Sequence, residues 1–193
     1  MTAQAGSLFN EKRLHVPEGA QPFFYVRRFH ILDPAREQCM AKQYWLMKSE
    51  PDDVSFDDVL AAQDQTASWY GVRNYQARNF IRDGMRVGDG VLFYHSSCAV
   101  PGIAGIAEIA SMPYPDATQF DPHNPYYDPK ATPENPRWTG IDVKAVKKGR
   151  YVDLKELRSH PELENMRLLA KGSRLSVMPV EPHEWRFILK LVG

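Results

Sequence analysis

The chain has 193 residues, 24 basic and 24 acidic side chains, 43% apolar residues and two cysteines. That length suits one domain with a tail, and the apolar content can fill one core. Zero net charge argues against a protein that coats nucleic acid by bulk electrostatics, and no apolar run nears the roughly 20 residues of a membrane-crossing helix.

Residues 1–39 carry five basic and four acidic residues and sustain no helical or strand period beyond Phe23–Val26 and Phe29–Leu32. Glu18 and its polar neighbours interrupt each apolar stretch, so no secretory signal is read there. We read this segment as a poorly ordered extension upstream of a natural start at Met40, with an added edge strand over 23–32 as the competing reading. Cys39 and Cys98 are too few for a disulfide framework or a zinc site, which makes a reduced, intracellular setting the default.

Residues 40–193 read as the domain. Tyr44–Met47 is a short apolar strand, ended by Lys48, Ser49, Glu50 and Pro51. Ser55 caps a helix over 56–62, with Asp58 at the capping-box position. Asn74 caps a second helix over 75–82, stopped by Gly84. A Gly88-Asp89-Gly90 turn leads into a strand over 91–95. Residues 102–109 alternate small and apolar residues, as in a strand closely approached by another group. Residues 113–136 hold seven of the fifteen prolines, interleaved with Tyr114, Phe120, Tyr126 and Tyr127; aromatics at that density make an ordered loop with something to cover. A strand over 138–146 follows, then helices over 154–158 and 162–169, a last strand over 174–180 and a C-terminal helix from Pro182 to Leu191.

Short strands punctuated by short helices predict an α+β fold, mainly β, built as a small barrel with flanking helices. Charge is uneven: residues 40–142 carry 8 basic and 14 acidic side chains, residues 143–193 carry 11 and 6. That permits one basic face on a neutral protein.

There is no P-loop, dinucleotide fingerprint, nucleophile elbow or metal-spaced Cys/His cluster. Aromatic and polar residues gather instead at strand ends. Trp69 and Tyr70 precede Arg73 and Asn74 at a helix N-terminus, a place suited to a phosphate or a base carbonyl. The competing reading has Trp69 and Tyr70 plugging the barrel and Arg73 paired with an acid. Lys48, Ser49 and Glu50 leave the first strand, His95 and Ser96 the second, and Trp138 follows Pro136-Arg137. Together these supply flat rings for stacking and donors and acceptors for reading a base edge.

The segments Tyr-Trp-Leu-Met-Lys-Ser-Glu-Pro (44–51), Gly-Val-Arg-Asn-Tyr-Gln-Ala-Arg-Asn-Phe (71–80), Phe-Tyr-His-Ser (93–96), Pro-Gly-Ile-Ala-Gly (101–105) and Tyr-Pro-Asp (114–116) resemble the EVE domain family. Asn-Pro-Arg-Trp (135–138), Asp-Val-Lys (142–144) and Arg-Leu-Ser-Val-Met-Pro (174–179) extend the resemblance over about residues 43–191. It implies a PUA-like barrel similar to YTH domains and a non-catalytic reader of modified bases, with modified cytosine in DNA or RNA as the ligand. By likeness to the YTH pocket, Lys48, Ser49 and Trp69 form its wall. The closing aromatic is left open among Tyr114, Tyr126, Tyr127 and Trp138. Glu50 and Asp116 depart from a methyladenine site, and a carboxylate can accept from the exocyclic amine of cytosine.

The expected base pocket therefore comprises Lys48, Ser49, Glu50, Trp69, Tyr70, Arg73, Asn74, His95, Tyr114, Asp116 and Trp138. Lys147, Lys148, Arg150, Lys171 and Arg174 are expected at phosphates. No cofactor or metal is expected, the partner is nucleic acid, the protein is a monomer, and its place is cytoplasmic in a bacterium or nuclear in a eukaryote. Two alternatives stand beside this reading. One is a nucleotide- or ester-processing enzyme using Lys48, His95 and Asp116. The other is a protein-interaction module presenting the loop 113–136.

Overall fold

A computed structural model describes residues 41–172 and 174–193; the readings made on residues 1–39 and on a start at Met40 lie outside the described residues. Eight strands form one curled sheet in the order β2-β6-β4-β3-β1-β8, with β5 added to β6 and β7 to β4. In chain order these are β1 (Tyr44–Ser49), β2 (Thr66–Trp69), β3 (Gly90–His95), β4 (Gly102–Ile109), β5 (Tyr114–Pro115), β6 (Thr139–Lys147), β7 (Val152–Asp153) and β8 (Val177–Pro179). Four helices flank it: α1 (Phe56–Ala61), α2 (Tyr75–Asn79), α3 (Leu154–Ser159) and α4 (Pro182–Val192). The expected mixed, mainly β barrel with flanking helices is the fold observed, left open between β2 and β8.

The sheet separates two apolar clusters, and alternation along its strands assigns residues to each. Trp45 and Met47 of β1, Val91 and Phe93 of β3, and Trp69 of β2 face one side with Phe56 and Val59 of α1. Leu46, Leu92, Tyr94 and Ile106 face the other, with Leu157 of α3 and Trp185 and Ile188 of α4. Strands buried on both faces read as near-continuous apolar runs, which is why β1 and β3 are legible. The small residues of β4 meet the expected close approach: a Cβ at Gly105 would strike the Phe56 ring, and one at Gly102 the backbone of Val152 and Asp153.

The Ser55–Asp58 capping box is formed in both directions. Asn74 caps α2, its side chain accepting from the Gln76 and Ala77 amides. That helix gives way to a π-helical turn at Phe80–Gly84, so it is shorter than expected. Residues 162–169 form two separate 3-10 turns (Pro161–Leu163 and Arg167–Leu169) and not a helix, because Met166 between them is extended (φ −62°, ψ 129°). The last strand begins at Val177 and not 174. β2 and β7 were not foreseen. β7 is only two residues long, and β2 holds Ala67 and Ser68, which carry no apolar alternation; it is defined by pairing with Ile141–Lys144, some 75 residues away.

Candidate nucleic-acid interface

Strands β1 and β3 run parallel, Ser49 opposite His95, so both chains leave the sheet at one end. There the Ser96 amide donates to the Ser49 carbonyl (2.8 Å), and the Lys48 amide to that of Ser176 (2.8 Å). β2 ends beside them at Trp69. Between these ends lies a cavity of about 780 Å³. Lys48, Ser49, Glu50, Trp69, Tyr70, Arg73 and Asn74 all line it, together with Arg174.

Trp69 is 9% exposed, its ring edge-on to Phe93 with centroids 5.3 Å apart. It therefore belongs to the core and forms the floor of the cavity at once. Tyr70 is 52% exposed at the rim, and Tyr126 stands edge-on to it (6.4 Å). Tyr126 thus lies in the cavity wall, whereas Tyr114, Tyr127 and Trp138 do not. Its position follows from backbone geometry: Gly71 has φ +78°, and any Cβ there would lie 2.8 Å from the Tyr126 ring. A left-handed residue lets the loop pass that close, and only glycine adopts it without strain.

The loop 69–74 is held from below by Asp116, which is 1% exposed. Its carboxylate accepts from the Gly71 amide (2.9 Å), Arg73 Nη1 (2.7 Å), and the Thr118 amide and hydroxyl (2.9 and 2.6 Å). Burial alone would push this carboxyl up, but the hydrogen bonds from Thr118, Arg73 and Gly71 outweigh it and hold it below its usual value. Arg73 also donates to the Tyr126 carbonyl (2.8 Å) and lies over the Tyr126 and Trp138 rings (5.4 Å to each). One buried acid thus ties the Trp69–Arg73 loop to the proline-rich loop that supplies Tyr126.

Four residues expected in the pocket stand outside its lining. Asp116 lies beneath the loop, as described. His95 turns toward α1, where Nε2 accepts from the Phe56 amide (3.1 Å); burial keeps its imidazole below the ordinary value, against the pull of Asp57 and Asp58. Tyr114 donates to Asp142 (2.6 Å), and burial with that carboxylate pushes its phenol up to about 12. Trp138 is buried, stacked on Tyr75 (4.9 Å) and donating to Asp128 (2.7 Å).

Lining polar groups differ in how far they are already engaged. The Ser49 hydroxyl donates to the Val54 carbonyl (2.6 Å), and Asn74 Oδ1 spends itself on the α2 amides. Two first-turn amides of that helix, those of Gln76 and Ala77, are therefore occupied by its own cap. Lys48 has no ion pair or side-chain hydrogen bond among the described residues and lies 6.0 Å from the Tyr94 ring; burial lowers its ammonium pKa. Glu50, exposed in the lining, is likewise unpaired among the described residues.

The residues expected at phosphates are scattered. Lys147 is bonded to the Gly193 carbonyl, Lys148 is paired with Asp57, and Arg150 is held by both oxygens of Glu156 (2.7 Å each). Lys171 is exposed, and Arg174 alone of the five reaches the cavity. Tyr126 could be proposed from sequence only as one of four aromatics. No sequence signal singles it out, because the Arg73–Tyr126 bond spans 53 residues.

Comparison with known proteins adds independent observations. Residues 43–191 match the EVE domain. Thymocyte nuclear protein 1 of Homo sapiens is 42% identical over 177 residues, 81% of this chain and 78% of the relative. A crystal structure of a Pseudomonas putida protein superposes with a TM-score of 0.74 at 50% identity, covering 78% of this chain and 99% of the other. A crystal structure of human THYN1 protein in complex with 5-methylcytosine containing DNA superposes with a TM-score of 0.73 at 42% identity, covering 79% and 98%. No helix among the described residues is long and apolar enough to cross a membrane.

Proposed function

Since the chain belongs to the EVE domain family, we propose that it is a non-catalytic reader that captures one modified cytosine, flipped out of DNA, in the cavity at the ends of β1, β2 and β3. One observation carries the reading: an open cavity of about 780 Å³ floored by Trp69 and rimmed by Tyr70 and Tyr126. That volume is within the range of small-ligand sites, and its rings offer flat faces to a heterocycle. The complex of a 42%-identical relative with 5-methylcytosine containing DNA supports the choice of ligand.

In this reading the base stacks against the aromatic rim at about 1–3 kcal/mol. Glu50 accepts from the exocyclic amine, and Lys48 donates to a ring acceptor. A methyl group adds only about 0.8 kcal/mol on burial, or roughly fourfold in affinity, so discrimination is modest unless a polar substituent is also bonded. Arg73 and Asn74 hold the rim in shape, and Asp116 holds Arg73. The three acid–base candidates of the enzyme alternative are not gathered around the cavity, since His95 serves α1 and Asp116 the loop. That separation supports a binding role.

The test is a titration of duplexes carrying cytosine, 5-methylcytosine or 5-hydroxymethylcytosine at one site, with Tyr70→Ala as the probe variant. Trp69→Ala is unsuited, because removing a buried indole costs about 3–5 kcal/mol of stability whatever it binds. Tyr70 is half exposed, so its loss leaves the fold intact and weakens binding by about 1–3 kcal/mol. Equal affinity for all three duplexes, untouched by Tyr70→Ala, would defeat the proposal.

A further inference from the structure

A second feature lies along the helix that leads away from the cavity. Arg78, Arg82 and Arg86 all act on one carboxylate, Asp83, which their charges help hold below its usual value after the hydrogen bond from Arg82. Among the described residues only Arg82 pairs with it (2.7 Å). Arg86 spends its guanidinium on the Met85 and Asp83 carbonyls (2.8 and 3.0 Å). Arg78 has no carboxylate partner among the described residues. It donates to the Arg137 carbonyl (2.6 Å) and to Asn79 (2.9 Å), and its guanidinium lies 5.1 Å from the centre of the Tyr75 ring. Arg137 lies over the same ring (5.7 Å) and is paired with Asp128 (3.2 Å). Four guanidinium groups thus share two carboxylates, and two of them share one exposed tyrosine.

Like charges gathered without matching acids raise the energy of the free protein, and an anion relieves it. Burial, with Arg82 and Arg137 nearby, holds the Arg78 guanidinium below its usual value, in keeping with that deficit. The place is fixed relative to the cavity. Asn74 is in the cavity lining and caps the helix carrying Arg78. Four residues of helix span about 6 Å, close to two base steps of about 3.4 Å along one strand.

We infer that Arg78, Arg82, Arg86 and Arg137 form a phosphate seat for the nucleic-acid strand whose base enters the cavity. It rests on the proposed reading for its register, and it is preferred to Lys147, Lys148 and Arg150 because each of those has an acceptor of its own, whereas four guanidinium groups here share two carboxylates. Guanidinium forks match phosphate oxygens in pairs, and two of the four lie against the Tyr75 ring.

Two ligands test it: a duplex carrying 5-methylcytosine, titrated between 50 and 200 mM salt, and the nucleoside 5-methylcytidine, which has no phosphate. The variants are Arg78→Gln and Arg82→Gln. Each should lower the salt slope of duplex binding by about 0.9, equivalent to about eightfold weaker duplex binding at 0.1 M salt. The ratio of duplex to nucleoside affinity should fall by the same factor. Arg78 braces the Arg137 carbonyl, so its variant could unfold; Arg82, exposed and among the described residues bonded only to Asp83, then decides. An unchanged slope and ratio in Arg82→Gln, and in Arg78→Gln if folded, would overturn the seat. Failure of the base reading is separable: no nucleoside binding and no preference for methylated duplex, with the slope still falling in both variants, retires the reader and upholds the seat.

Discussion

Replacing Asp116 by alanine removes an acceptor from the Gly71 amide, the Thr118 amide, the Thr118 hydroxyl and Arg73 Nη1. Hydrogen bonds to a charged group contribute about 1.5–3 kcal/mol each, and four would sum to more than the variant should lose. Arg73 is 22% exposed and keeps the Tyr126 carbonyl and Thr118 hydroxyl, so water and these partners absorb part of the loss. A cost of about 3 kcal/mol is expected, at the low end for breaking a buried pair. With a urea dependence of about 2 kcal/mol per M, the unfolding midpoint should fall by about 1.5 M. Binding should weaken as well, because the loop bearing Tyr70 loses its brace. The effect has a defined pH window. A carboxyl held below its usual 3.8 in the fold contributes stability above that pH and loses it as pH falls through the folded value. The gap between wild type and Asp116→Ala should therefore be constant from pH 7 to about 5 and narrow below about 4. A midpoint shift under about 0.5 M at pH 7, or a gap that fails to narrow in acid, would refute the claim that this carboxylate organises the rim.

Gly105→Ala should destabilise by about 1–3 kcal/mol or more, read by urea unfolding, because its methyl meets the fully buried Phe56 ring. His95 is held neutral, with Nε2 accepting from the Phe56 amide. Its contribution is full above about pH 6.5 and falls as acid protonates the unfolded chain first; the drop in midpoint between pH 8 and 5 should shrink in His95→Gln. Tyr94, Tyr114 and Tyr151 have phenols pushed up to about 12, above all by burial. A spectrophotometric titration should show these three ionising only near pH 12, with stability falling above about pH 10.

How much could be read beforehand depended on how local each signal was. The Ser55–Asp58 box and the Asn74 cap lie within four residues of what they bond, and β1 and β4 carry their burial in their own composition. All four were legible. β2 was not, because Thr66–Ser68 becomes a strand only through its antiparallel neighbour. The candidate site divides in the same way. Lys48 to Glu50 and Trp69 to Asn74 were found as strand and loop exits. Asp116 and His95 were polar residues near the right places in sequence, but their partners, Gly71 and Phe56, are more than 35 residues away and draw them out of the wall. Even the competing reading of Trp69 was half right: the indole plugs the core and floors the cavity.

The proline-rich loop has a kinetic meaning. Seven prolines between residues 113 and 136 leave the free chain few conformations to abandon, and the Asp116 and Arg73 bonds fasten Tyr126 before any ligand arrives. A wall already in place makes no demand on the clock of association. Under the proposed reading, the slow event in capture belongs to the duplex, in the moment a base leaves its stack, and mismatches or lesions that loosen the helix should hasten arrival without altering the protein.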